Sequence, residues 1–90
     1  MRKIVASNKF KKDVDVAYKR GFNLNLLNDV VKTLATGGTL DPKYKDHPLI
    51  GDYVDFRECH IKPDWLLIYR IDDDELELYL FRTGTHSDLF

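Results

Sequence analysis

Apolar residues recur at helical spacing near the start of the chain. One stripe, with intervals i, i+4, i+7 and i+8, is formed by Phe10, Val14, Ala17 and Tyr18, a spacing that is typical of one apolar helix face. Ser7 precedes the stripe, and its hydroxyl suits an N-cap because it can accept from a free backbone N–H of the first turn. Gly21 follows the stripe and can adopt the left-handed backbone that ends a helix. We therefore predict a first helix between Ser7 and Gly21.

A second helix is predicted after Asn23, which also suits an N-cap. Its inner face is formed by Leu24, Leu27, Val31 and Leu34, with Val30 beside them. Gly37 and Gly38 end this pattern, and the short link between the two helices favours an antiparallel pair. Residues 3–6 can form a short strand before the first helix.

Strand-like runs occupy the second half of the chain, at residues 53–61, 65–71 and 75–82. Before them, residues 40–51 contain two prolines and a glycine, which predicts a loop. Lys62 and Pro63 separate the first two runs, and residues 72–74 separate the second from the third. Such short links favour antiparallel hairpins. The middle run, 65–71, is apolar at odd and even positions, as in a central strand that is buried on both faces.

The predicted order of elements is β-α-α-β-β-β. In the third run Leu76, Leu78 and Leu80 share one face, and polar or aromatic residues alternate with them. Helices that precede an antiparallel sheet indicate an α+β domain of two layers. We predict that two N-terminal helices pack on a small, mainly antiparallel sheet. The 90 residues suffice for a single domain, residues 1–90.

Composition narrows the class of protein. The single cysteine, Cys59, excludes an internal disulfide framework and a multi-cysteine metal site. No apolar run is long enough for a transmembrane helix, and the first ten residues lack the apolar segment of a signal peptide. We therefore expect no membrane association and a cytoplasmic location.

The net charge of −1 gives no electrostatic reason to expect a nucleic-acid partner when it is taken alone. It hides an asymmetry, because residues 1–33 carry +5 and residues 34–90 carry −6. Five of the acidic residues of the second half lie between Asp72 and Glu77. The charge of the whole chain is therefore a poor guide to any local binding site.

Strand register predicts that reactive side chains converge at one end of the sheet. If the second hairpin turns over residues 72–74, the positions of paired residues sum to about 146, and Asp64 lies opposite Arg82. The first hairpin then brings His60 near Asp64 or Trp65. His86 is four residues beyond Arg82 and can fold back to the same end.

This group of side chains suits metal-free cleavage of RNA. One imidazole can act as a base while another acts as an acid near neutral pH. The planar guanidinium of Arg82 can stabilise a phosphate, and the Trp65 ring can stack on an unpaired base. A base would remove the proton of the 2′-OH, and an acid would protonate the departing 5′ oxygen.

Each residue also has a plainer interpretation. Trp65 can belong to the core, and Arg82 can form an ordinary ion pair with Asp64. The three histidines, His47, His60 and His86, can alternatively form a zinc site. No fixed ligand spacing supports zinc, and Arg82 would be unfavourable beside a dication. We therefore predict no metal and no cofactor.

Three motifs resemble one known family. The segments YKDHPLIGDY (44–53), HIKPDWLLIYRI (60–71) and FRTGTHSDLF (81–90) resemble the YafQ branch of the RelE/ParE toxin superfamily. The resemblance covers essentially the whole chain. It implies the RelE-like fold and a type II toxin that cleaves mRNA, typically in the ribosomal A site.

The resemblance also assigns roles to residues. It implies acid–base work by His47, His60, Asp64 and His86, phosphate stabilisation by Arg82, and positioning of the base by Phe90. Trp65 belongs to one of these motifs, and Lys45 is a further candidate for binding phosphate. Only His60, Asp64, Trp65, Arg82 and His86 follow from the register argument as well.

The implied partners are a cognate antitoxin and ribosome-bound mRNA. The free toxin is expected to be a monomer, and its complex with the antitoxin a heterotetramer. The alternative function is that of the ParE-like relatives, which poison DNA gyrase without an enzymatic reaction. The histidine cluster favours the endoribonuclease.

Overall fold

The computed structural model describes residues 1–90 and contains one five-stranded sheet with three helices. Its elements are β1 (Lys3–Ala6), α1 (Asn8–Lys19), α2 (Leu24–Ala35), β2 (His47–Pro48), β3 (Arg57–Lys62), β4 (Trp65–Asp72), β5 (Glu77–Gly84) and α3 (His86–Leu89). The predicted α+β order is confirmed. The sequence did not predict the two-residue β2 or the four-residue α3, and both carry site residues.

Local signals place both long helices. The Ser7 hydroxyl accepts from the Phe10 N–H at 2.9 Å, and the Asn23 side chain accepts from the Asn25 N–H at 3.0 Å. Gly21 has the predicted positive φ of 81°. One detail of the predicted apolar stripe is wrong, because Tyr18 is 71% exposed. None of the three helices has the length and apolarity needed to span a membrane.

The strand order across the sheet is β1-β5-β4-β3-β2. Only β1 pairs in parallel, with β5, so the sheet is mainly antiparallel as predicted. The central strand is β4, and its first five residues, 65–69, are all buried. Continuous apolarity in residues 65–71 therefore correctly predicted a strand that is covered on both faces.

The two faces of the sheet differ. The helices cover one face, and the main core there includes Phe10, Leu27, Leu34, Leu67 and Leu78. The opposite face holds a smaller cluster of Leu66, Ile68 and Leu89, flanked by Leu49, Phe56 and Phe81. No long helix covers this second face, which leaves it accessible at the end where the histidines lie.

The predicted register between the last two strands is wrong. Ile71 lies opposite Leu78, and Arg82 lies opposite Ile68 instead of Asp64. The turn spans four residues, 73–76, and Leu76 within it has a φ of 53° and is 57% exposed. A further irregularity follows between Ile68 and Tyr69. Together these shifts bring the segment beyond β5, and with it His86, beside Asp64.

Candidate active site

Three histidines form a row along the end of the sheet. The ring centroids of His47 and His60 are 6.3 Å apart, and those of His60 and His86 are 5.9 Å apart. His47 reaches this position because β2 pairs with β3, which sets His47 opposite Glu58. His86 reaches it as the first residue of α3, directly after β5. The structure thus brings together the three histidines that the sequence singled out.

A carboxylate that the sequence analysis missed lies between two of the histidines. The Glu58 side chain is 7% exposed, and its Oε1 lies 3.5 Å from His47 Nε2 and 3.4 Å from His60 Nε2. Burial of a carboxylate is costly unless it is paired, so the two imidazoles account for its position. Alternation along a strand was the available signal, since Glu58 and His60 are two residues apart and share a face.

Asp64 orients His86. Its Oδ1 accepts from the His86 backbone N–H at 3.2 Å and lies 3.0 Å from the ring nitrogen Nδ1. An ionised carboxylate only accepts hydrogen bonds, so Nδ1 carries the hydrogen and Nε2 is directed elsewhere. The hydrogen bond from the His86 side chain lowers the pKa of Asp64 from its usual value. Asp64 therefore stays ionised and continues to hold the ring.

Arg82 has a different partner from the one predicted. Its Nε and Nη2 donate to the carboxylate of Asp13 on α1 at 2.7 and 3.1 Å. Asp13 also accepts from the Thr83 N–H at 3.2 Å. The hydrogen bond to Asp13 raises the pKa of Arg82. Nη1 makes no hydrogen bond within the chain, so one edge of this ion-paired guanidinium is available to an anion.

Trp65 lies in the core and is 3% exposed. Its ring packs against Phe22 with centroids 5.0 Å apart, and its Nε1 donates to Thr83 Oγ1 at 2.9 Å. The predicted role of Trp65 as a surface on which a base stacks is therefore wrong for this structure. Its plainer interpretation as a core residue agrees with the burial.

Phe90 is the exposed aromatic ring at the site. It is 61% exposed, and its centroid lies 6.5 Å from that of His86. Tyr53 supports it from the side, with centroids 6.0 Å apart in an edge-to-face arrangement. Such a ring beside an imidazole can stack on an unpaired base.

The loop that carries His47 is anchored by Asp46. Asp46 accepts from the Tyr69 hydroxyl at 2.6 Å and from Nε of Arg57 at 3.3 Å. Burial, followed by the bond to Asp46, raises the pKa of Tyr69, so this hydroxyl remains a donor at physiological pH. The sequence analysis missed this anchor because its members lie on three separate segments. Lys45 precedes it and shares a cleft with His60.

Hydrogen bonds hold both ends of the single turn of helix α3 in place. Thr85 and Asp88 form a capping box, in which the Thr85 hydroxyl accepts from the Asp88 N–H and the Asp88 carboxylate accepts from the Thr85 N–H. Arg20, directly after α1, donates two further bonds to Asp88 at 2.6 and 3.2 Å. These contacts fix the turn that presents His86 and Phe90.

We expect Asp88→Asn to remove stability in a pH-dependent way. The bond from Arg20, followed by that from Thr85, lowers the pKa of Asp88. A lowered pKa stabilises the fold above the ordinary carboxylate pKa, and this stabilisation is lost as the pH falls through the lowered value. Asp88→Asn should therefore cost about 1 kcal/mol of unfolding free energy at pH 7, and the difference from the parent should shrink below about pH 4.

Urea unfolding at pH 7 and pH 3 measures this difference. Asp15→Asn is the matched control, because Asp15 is exposed on α1 and makes no hydrogen bond or ion pair. Its stability should follow the parent at both pH values. A constant difference between Asp88→Asn and the parent at both pH values would contradict the assignment.

One set of side chains in the row fits a metal ion. Single ligand atoms of His47, Glu58 and His60 all lie within 4.8 Å of one another. Two imidazole nitrogens and one carboxylate oxygen suit zinc or copper, and three protein ligands leave a coordination position open. The donor set therefore fits such an ion, although the sequence predicted no metal.

Comparison with known proteins places the chain in a family. A profile described as "Bacterial toxin of type II toxin-antitoxin system, YafQ" matches residues 2–90. The mRNA interferase toxin YafQ of Escherichia coli K12 is 43% identical over 99% of this chain and 96% of its own. A metal-bound toxin from Helicobacter pylori is 56% identical, with a TM-score of 0.94 over both whole chains. YafQ in the E. coli DinJ–YafQ complex is 41% identical, with a TM-score of 0.91 over 100% of this chain and 99% of that one. The chain therefore belongs to the YafQ family of toxins from type II toxin–antitoxin systems.

Proposed function

We propose that this toxin is a ribosome-dependent mRNA endoribonuclease that inhibits translation and is silenced by a cognate antitoxin. The observation that carries the proposal is the row of three histidines with two carboxylates, Glu58 and Asp64, in contact with its members. The E. coli relative is named an mRNA interferase toxin, which supports the same class of activity for this chain. Such a row supplies a base and an acid on either side of one phosphate.

The contacts within the site indicate which side chains can exchange protons with the RNA. The Glu58 carboxylate, which lies 3.4 Å from His60 Nε2, takes the proton of the 2′-OH, and the resulting oxygen attacks the adjacent phosphorus. On the other side of the phosphate, His86 protonates the departing 5′ oxygen through Nε2, because Asp64 holds Nδ1. The products are a 2′,3′-cyclic phosphate and a 5′-hydroxyl. The ring separation of 5.9 Å between His60 and His86 is short enough for both imidazoles to reach atoms of one phosphate group.

Electrostatic stabilisation and positioning complete the site. Two equatorial oxygens of the phosphate gain negative charge in the transition state, and donors placed beforehand stabilise that charge. The free Nη1 of Arg82 and the ammonium of Lys45 are the donors that we assign to this task. Phe90 stacks on the base next to the cleaved bond. His47 lies beside Glu58, with its Nε2 3.5 Å from Oε1, and helps to position that carboxylate.

We propose that the reaction proceeds without a metal ion. His47, Glu58 and His60 would hold a transition metal if one bound, and that ion would supply a Lewis acid to the phosphate. Binding there would occupy the carboxylate that we assign to the base. Cleavage that continues in excess chelator supports the metal-free reaction, and its complete loss with recovery on added zinc or copper would contradict it.

The weak net charge supports the proposed dependence on the ribosome. At −1 the chain gains little from non-specific attraction to RNA, so the ribosome is needed to present the message. The test is purified toxin in a defined translation system, with cleavage mapped on one message. Cutting of the translated message, and not of the same RNA without ribosomes, is expected. Intact mRNA accompanied by DNA damage in arrested cells would favour the gyrase alternative.

We further propose the location of the toxin, its oligomeric state and the way in which it is inhibited. The free toxin is a monomer in the cytoplasm, and a cognate antitoxin silences it within a heterotetramer. The E. coli relative has been crystallised in complex with DinJ, which supports an antitoxin partner of the same kind.

A further inference from the structure

A basic cleft adjoins the histidine row at His60, its middle member. The cleft has a volume of about 380 Å³ and is lined by three lysines, Lys43, Lys45 and Lys62, together with Tyr44 and His60. No aspartate or glutamate lines it. In a chain whose second half carries −6, a cleft lined by three lysines and no acidic residue is a local concentration of positive charge.

The backbone at Lys45 adds a second observation. Lys45 ends a short 3₁₀ turn, Pro42–Tyr44, with φ 50° and ψ 44°, in the left-handed region. A residue with a Cβ in that region costs roughly 1–2 kcal/mol, and glycine or asparagine is the usual occupant. Such strain tends to occur where a side chain has a functional task. Here it turns the chain between the cleft and His47.

The cleft and Phe90 adjoin different histidines of the row. Along the row, the cleft adjoins His60, His86 follows at 5.9 Å from His60, and Phe90 follows at 6.5 Å from His86. A phosphate held between His60 and His86 would have lysines on one side and an exposed aromatic ring on the other. The RNA strand that continues from such a phosphate toward His60 would enter the cleft.

We propose that this cleft binds the sugar–phosphate backbone of the RNA on one side of the cleaved bond, with Lys43 and Lys62 contacting the phosphates that follow the reacting phosphate at Lys45. The inference rests on the proposed endoribonuclease function and extends it from one reacting phosphate to the path of the strand. The cleft contributes affinity without sequence preference, because lysine contacts to phosphate carry no base information. An acidic antitoxin segment is the alternative occupant. RNA is favoured because the cleft opens directly beside His60.

The salt dependence of RNA binding tests the inference. The probe is a fluorescent, fully 2′-O-methylated RNA of twelve nucleotides, which the toxin cannot cut. Anisotropy gives Kd between about 20 and 200 mM salt. The triple variant Lys43→Gln, Lys45→Gln, Lys62→Gln should lower the slope of log K against log salt by about 2, because each phosphate contact on a single strand contributes about 0.7.

The control variant removes the same charge from elsewhere. Lys11, Lys12 and Lys32 lie exposed on α1 and α2, and none of them lines the cleft. Their replacement by glutamine should leave the slope within about 0.5 of the parent value. Circular dichroism and thermal unfolding of both triple variants show whether the fold is retained.

The outcomes separate this inference from the proposed function. An unchanged slope in the cleft variant, an equal loss in both variants, or no measurable RNA binding by the parent would overturn the inference even if the parent cuts mRNA. Unchanged RNA binding with weakened antitoxin binding would assign the cleft to the antitoxin. If the cleft variant shows the reduced salt slope while the parent leaves translated mRNA intact, the cleft is an RNA-binding site, but the endoribonuclease assignment is wrong.

Discussion

His86→Gln should slow mRNA cleavage by about 10²–10⁴-fold, the usual contribution of a positioned general acid. The glutamine amide can still donate a hydrogen bond to Asp64, but it cannot deliver a proton to the 5′ oxygen. The loss should therefore appear in the rate of the chemical step and not in RNA affinity. Single-turnover cleavage of one translated message measures the rate, and growth of cells that express the variant should recover.

Ser87→Ala is the matched control for this substitution. Ser87 is the next residue of α3, is exposed, and makes no side-chain hydrogen bond in the structure. It should cut at the parent rate. If His86→Gln cuts as fast as the parent, the proton donor is a different group and the assignment of His86 is wrong.

Glu58→Gln should reduce cleavage by at least about 10²-fold. The substitution preserves shape but removes the negative charge between two imidazoles, and with it the group to which we assign the proton of the 2′-OH. It also removes one of the three ligands of the candidate metal set. Loss of activity alone therefore does not distinguish base from ligand.

Two measurements make that distinction. Calorimetric titration of parent and variant with zinc or copper shows whether Glu58 is a ligand. Cleavage in excess chelator shows whether the reaction needs the metal. Glu77→Gln is the control, because Glu77 lies on β5 and its side chain makes no hydrogen bond or ion pair. Parent-level cleavage by Glu58→Gln in chelator would contradict its role as the base.

The fold was predictable where local chemistry determines structure. Ser7 and Asn23 cap the helices that they were predicted to cap, and Gly21 has the positive φ expected after α1. The central strand was evident because residues 65–69 are apolar on both faces. These signals depend on neighbours within a few residues, so an isolated sequence contains them.

The register was not predictable, because backbone conformation at single residues determines it. Leu76 adopts a positive φ within the turn, and an irregularity follows between Ile68 and Tyr69. Each shifts the pairing, and together they move Asp64 from Arg82 to His86. Nothing in the side chains of a hairpin tip with four acidic residues between 72 and 75 indicates a left-handed leucine.

The candidate site, like the fold, was only partly predictable from the sequence. The predicted strand register was partly wrong, but His60, Asp64 and His86 still lie together at one end of the sheet. His47 came only from the family resemblance, since the two-residue strand that places it has no sequence pattern of its own. The ion pair of Arg82 with Asp13 joins residues 69 apart, and only the packing of α1 on β5 reveals it.

The most direct test of the proposed reaction is the 2′-OH itself. A message with a single 2′-deoxy nucleotide on the 5′ side of the mapped cleavage bond should resist the toxin at that bond, while the all-ribose message is cut and leaves a 2′,3′-cyclic phosphate. Cleavage of the deoxy bond at the parent rate, or a 5′-phosphate on the downstream fragment, would contradict the mechanism.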